Sequence, residues 1–263
     1  MRTGTEETAT ERVGVKSARR AIELLEAFAA ADGWMSPGDL HESTGTPRSS
    51  LHGLLHTLVE AGWLQTNPTL TRYRLGVRAL ICGTAYLDRD PAVPYATRTL
   101  EEVRAQTGFT AHFARRHGSE IVYLETRESQ HSTHLVSRVG RTLPTYATSL
   151  GKALLAELTS EEVAALLPDT LPALTPRTLV SRERLEQELA RVRETGWAAE
   201  VEEGTIGVRC VAAAIPYRIP ATDALSCSIP VDQADDDDAK RVAQLLVAAA
   251  TELGRKLRAA GIR

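Results

Sequence analysis

The chain has 263 residues, 43% of them hydrophobic and 25% charged, which leaves room for two buried cores and excludes general disorder. Its net charge of -3 excludes a globally basic nucleic-acid binder, so a partner of that kind has to be met by a local patch. Three widely separated cysteines, Cys82, Cys210 and Cys227, fit neither a disulfide framework nor a paired-cysteine zinc site.

Residues 1–15 are rich in Thr, Glu and Gly without an apolar period and read as a flexible arm. This polar, acidic start lacks the pattern of an export signal, and no stretch reaches the roughly 18 apolar residues of a membrane span. A cytoplasmic protein with no membrane partner is expected. Ser17 then caps a predicted helix over 17–31, with Ala18, Ile22, Leu25, Phe28 and Ala29 on its inner face. Asp32-Gly33 ends it. Ser36-Pro37 opens a short second helix that turns Leu40 inward and stops at Thr44-Gly45. Thr46-Pro47 starts a third, whose buried face is Leu51, Leu54, Leu55, Leu58 and Val59 and which closes at Gly62. Strands at 63–65 and 72–75, joined through Asn67-Pro68, complete a hairpin. Residues 16–76 therefore predict a winged helix-turn-helix.

If the third helix enters a DNA major groove, its exposed face must carry short polar and basic groups near its N-terminus. Arg48, Ser49, Ser50, His52 and His56 fall on that face, and Thr46 as its cap leaves backbone N–H groups for a phosphate. Arg72 and Arg74 on the wing, with Lys16 and Arg19 on the arm, are expected at the DNA backbone, and Ser36 at the second helix is a further expected DNA-binding residue. From Arg12 to Arg78 there are eight Lys or Arg against six acids, a local excess of two. His52 and His56 have the spacing of a metal pair, but Gly53 follows the first histidine where a zinc protease carries Glu.

Residues 77–90 suit a linker helix that Pro91 and Pro94 interrupt, and 91–263 form a second domain. Its pattern predicts a helix over 95–106 and strands over 109–116 and 120–127. Helices follow after Thr148-Ser149 and over 160–167 and 181–194, then strands over 197–202, 208–216 and 224–231, and a last helix over 235–260. This alternation is that of an α+β sheet domain. The start at Ser149-Leu150-Gly151-Lys152 suits a ligand carboxylate, and period two sets Ser226 and Ser228 on one sheet face, with Cys210 as a neighbouring thiol.

No G-x-S-x-G, H-E-x-x-H or Walker loop is present, so neither catalysis nor a cofactor is expected. The alternative is a metal-dependent enzyme or metal sensor built from His112, His117, His131 and His134. Asp235 to Asp238 read as a solvated helix start.

Four segments, Ser17 to Phe28, Ser36 to Leu40, Thr46 to Leu64 and Tyr73 to Gly76, resemble the DNA-binding domain of the IclR family of transcriptional regulators. The Ser-Leu-Gly-Lys helix start, Gly207-Val208-Arg209-Cys210 and Leu225-Ser226-Cys227-Ser228 resemble that family's effector domain in order and spacing. The resemblance implies a GAF-like second domain, a pocket for a small metabolite such as an organic acid, and pocket residues Ser149, Leu150, Glu200, Cys210, Ser226 and Ser228. It further implies operator DNA as partner, repression as the usual sign, and a homodimer or dimer of dimers. Effector binding would act on the DNA-binding domains through the linker helix. The chain departs from the family pattern at Gly53, where a long side chain is usual, at Glu200, often Asp, and at Ile229-Pro230, more usually Gly-Pro.

Overall fold

The computed structural model describes residues 14–129 and 139–263. The expected arm falls largely outside them. The chain divides into two compact units, Met1–Tyr86 and Leu87–Arg263.

The first unit packs α1 (Lys16–Ala30), α2 (Pro37–Thr44) and α3 (Arg48–Glu60) against a hairpin of β1 (Leu64–Thr66) and β2 (Tyr73–Leu75). Its core is Leu24, Phe28, Leu40, Leu51, Leu55, Leu58 and Leu64, each worth about 1.5 to 3 kcal/mol when fully buried. Of the expected stripe on α1, Phe28 is buried and Leu25 packs partly buried against this core, whereas Ala18, Ala29 and Ile22, the last 56% exposed, face outward and Leu24 takes the buried centre. Apolar residues at 21, 22, 24, 25, 27 and 28 surround much of this helix, so period alone does not choose its face and packing does. Ser17 lies inside α1, and Val15 precedes the helix with no side-chain cap bond.

Ser36 does cap α2, in a reciprocal box with Asp39; these hydrogen bonds hold the Asp39 carboxyl below the usual carboxylate range. At α3 the expected cap is corrected. Pro47 precedes the helix and Thr46 is buried, its hydroxyl accepting from that of Thr44 at 2.9 Å. Gly45, at φ 66°, turns the chain between the two threonines, so that Thr46 bonds to Thr44 of α2 rather than to the start of α3.

Helix α4 (Val77–Arg89) carries the chain into the second unit, where a six-stranded antiparallel sheet has helices on both faces. In chain order come α5 (Val93–Thr107), β3 (Thr110–His117), β4 (Glu120–Arg127), β5 (Thr142–Pro144), α6 (Ser149–Leu155), α7 (Ser160–Leu166), α8 (Arg182–Thr195), β6 (Ala198–Val201), β7 (Val208–Ala214), β8 (Asp223–Pro230) and α9 (Asp236–Ala259). The strand order is β5-β4-β3-β8-β7-β6. Phe113, Leu225 and Cys227 face α5 and α9, and Ala114, Ala212 and Ala224 face α6 to α8. Strand β5 and the 3-10 turn Thr145–Ala147 after it were not anticipated, since three residues are too few to show a period.

Arg115 of β3 reaches through the α5/α9 side to a buried acidic pair. It donates to both carboxylate oxygens of Asp223 at 2.7 Å and to Asp90, while the Tyr217 hydroxyl donates to Asp223 at 2.5 Å. Asp90 follows the last residue of α4, so this network fixes where the chain enters the sheet domain.

Candidate DNA interface and effector site

The outer face of α3 presents Arg48, Ser49, His52 and His56, all exposed. Ser50 is half-buried and accepts from the Arg20 guanidinium of α1 at 2.9 Å, so α1 already holds one of the expected reading groups. His56 pairs with Glu60 one turn on, at 3.3 Å. Lys16 and Arg19 are exposed on the first turn of α1, and Ser36 is engaged as the α2 cap. On the hairpin, Arg74 stacks 4.5 Å from the Trp34 ring centroid and Arg72 donates to the Trp34 carbonyl at 3.4 Å. These contacts orient two cations that remain exposed. The buried Thr46 side chain is withdrawn from this surface. Gly53 sits on the same outer face, and a Cβ there would meet nothing within 4 Å.

In the second unit, strand register assembles most of the expected pocket residues. Glu200 lies opposite Cys210, Cys210 opposite Ser228, and Ser228 opposite Thr110; one row along, Ser226 stands between Ala212 and His112, and His112 opposite Thr126. By strand alternation all share the sheet face that α6 covers. Toward one end of the strands this face is apolar, with Ala114, Ala212 and Ala224 beside Ile121 and Tyr123, and here it becomes polar. His112 is 2% exposed, with Nε2 at 3.1 Å from the Ser228 hydroxyl and Nδ1 at 3.0 Å from that of Thr126. The Ser228 hydroxyl also lies 3.4 Å from Cys210 Sγ. Ser149 and Leu150 are buried at the start of α6, where the Thr148 hydroxyl takes the Gly151 N–H.

Glu200 accepts the Glu203 N–H at 2.7 Å. Burial pushes its carboxyl above the usual range, against a lowering hydrogen bond from Cys210; Glu203 adds to the rise and Lys152 opposes it. Lys152 is itself buried and neutralised by Glu203 at 2.5 Å. Close packing explains the neighbouring glycine: a Cβ on Gly151 would stand 2.1 Å from the Thr145 carbonyl oxygen. Cys227, on the opposite face, is an apolar filler whose thiol burial pushes up to about 12.

His112, Thr110 and Thr126 join this polar cluster and were not among the residues expected there. Period two over residues 109–116 sets 110 and 112 on one face, but only the β3–β8 pairing shows that this is the face of the two serines. Of the four histidines of the alternative reading, the structure separates the two it describes. His112 and His117 are five residues apart on one strand and so point to opposite faces. His131 and His134 lie outside the described residues. Among the described residues, no group of three or more His, Cys, Asp or Glu is placed to hold a metal ion. Nor, among them, is any helix long and apolar enough to cross a membrane.

Comparison with known proteins finds an IclR helix-turn-helix domain over residues 17–68 and the C-terminal domain of bacterial IclR transcriptional regulators over residues 84–255. The chain is 35% identical to the HTH-type transcriptional regulator XynR of Escherichia coli (strain K12), over 92% of this chain and 97% of that protein. It is 30% identical to the transcriptional repressor IclR of the same organism, over 91% and 89% respectively. An IclR homologue from Microbacterium hydrocarbonoxydans, solved in complex with 4-hydroxybenzoate, shares the fold with a TM-score of 0.75 at 24% identity, over 92% of this chain and 99% of that one.

Proposed function

The chain belongs to the IclR family of transcriptional regulators, ligand-responsive DNA-binding proteins, and from that premise we propose which of its residues read DNA and which hold the effector. Arg48, Ser49, His52 and His56 of α3 meet base edges in the major groove, with Ser50 set beside them by Arg20. Lys16, Arg19, Ser36, Arg72 and Arg74 hold the phosphates. In the second unit a small polar metabolite, an organic acid first among classes, lies over Ser226, Ser228, Cys210 and His112, bounded by Glu200, Ser149 and Leu150. With Lys152 matched by Glu203, hydroxyls, the thiol and imidazole are the donors for its oxygens.

One observation carries this reading: the α6-facing side of an otherwise apolar sheet turns into a buried cluster of hydroxyls, a thiol, an imidazole and a carboxyl. Polar groups are costly to bury for packing alone. The test is a double variant, Ser226→Ala with Ser228→Ala, screened against small organic acids beginning with 4-hydroxybenzoate. Loss of the ligand response with ligand-free DNA binding intact supports the site; an unaltered response would refute it.

The relatives named as repressors make repression the proposed sign. The proposed assembly is a homodimer or dimer of dimers in the cytoplasm, because paired half-sites gain affinity and symmetry from paired subunits. Val77, Leu80 and Ile81, each more than half exposed on α4, supply an apolar surface that a second copy would cover.

A further inference from the structure

The tip of the β1–β2 hairpin carries a feature that the DNA contacts above leave unexplained. Leu70 has φ 55°, in the left-handed region that a bulky side chain rarely adopts, and it is 68% exposed. The loop around it is tightly braced. Asn67 takes the Thr71 and Arg72 N–H groups on its side-chain oxygen at 2.9 and 3.0 Å. Its amide donates to the Thr69 hydroxyl at 2.8 Å and to that of Thr71 at 3.3 Å. The Leu70 N–H donates to the Asn67 carbonyl at 3.0 Å. Glycine or asparagine would fill this backbone position without the steric cost. Instead the loop spends its hydrogen bonds on holding an apolar side chain outward, beside the exposed cations Arg72 and Arg74.

We propose that Leu70 is an apolar wedge that the wing sets into the DNA minor groove, so that the protein also reads how easily the base step beneath it deforms. This rests on the DNA-binding reading and extends it. With α3 in the major groove, a hairpin that starts four residues after that helix reaches the adjoining minor groove, and the two arginines supply the charge that a polyanion requires. An aliphatic side chain makes no hydrogen bond to a base edge. What it does in that groove is lean on sugar walls and part a stacked step, which is cheapest at a pyrimidine–purine step.

The experiment uses the full-length protein and the duplex that the wild type enriches from a randomised pool. Leu70→Gly relieves the backbone and is expected to melt no lower than wild type. It should bind that duplex about ten- to a hundredfold more weakly, the equivalent of one leucine left unburied, with a smaller bend by end-to-end fluorescence transfer and no preference for a pyrimidine–purine step under the wing. Leu70→Asn, polar and tolerant of the same backbone, should behave alike. Arg72→Ala should weaken binding while leaving the bend. Wild-type affinity or a wild-type bend in both Leu70 variants overturns the wedge and leaves the DNA-binding reading standing. If the wild type enriches no duplex, the DNA-binding reading falls and the wedge with it.

Discussion

Arg48 stands exposed at the first residue of α3, with a guanidinium able to fork onto guanine O6 and N7. Arg48→Ala should weaken specific binding by about 1 to 3 kcal/mol, measured by anisotropy titration, with the melting temperature unchanged. In the second unit Glu200 carries a pH signature. Burial raises its folded-state pKa above the unfolded value, so its contribution to stability is fully present below the unfolded carboxylate pKa and is lost as pH rises through the folded one. Glu200→Gln keeps an oxygen for the Glu203 N–H and removes the charge. The variant should therefore melt higher than wild type at neutral pH, and the gap should close as the pH falls into the carboxylate range. A gap that does not change with pH would remove burial of the charge as its cause.

Two glycines separate demands of function from demands of packing at the level of the element. Gly53 lies mid-helix with open space around it, so Gly53→Ala should stabilise α3 by about 1 kcal/mol in denaturant unfolding. Gly151 is held against Thr145, so Gly151→Ala should destabilise the second unit and displace the start of α6. Sequence period located α3 and the long strands because each has an apolar face or an alternation to show, whereas α2 was legible from its Ser36-Pro37 start and Gly45 stop and α4 from the prolines that follow it. The caps of α1 and α3 were misread for a different reason: serine and threonine next to a helix start also bond to other partners, as Thr46 does with Thr44. Likewise Ser226 and Ser228 were legible as a pair, but His112 was not legible as their neighbour, because cross-strand register joins residues 116 positions apart. Reading the histidines by their closeness in sequence grouped His112 with His117, which the strand turns to the other face.

For the whole molecule, the exposed apolar residues of α4 predict that Leu80→Glu shifts the protein toward monomer in light scattering and weakens operator binding more than binding to a single half-site. The buried bridge of Arg115 to Asp223 and Asp90 predicts that Asp223→Ala costs about 3 to 5 kcal/mol, because it leaves a buried guanidinium with Asp90 alone and takes the acceptor from the Tyr217 hydroxyl. Ligand-responsive recognition of DNA is tested most directly by titrating the full-length protein against its own upstream DNA and duplexes enriched from a random pool. The titrations run at two salt concentrations, over excess nonspecific competitor, with and without small organic acids. The predicted result is salt-sensitive binding to particular duplexes, tighter than to competitor and shifted by at least one acid. Binding to every duplex no tighter than to competitor would contradict it.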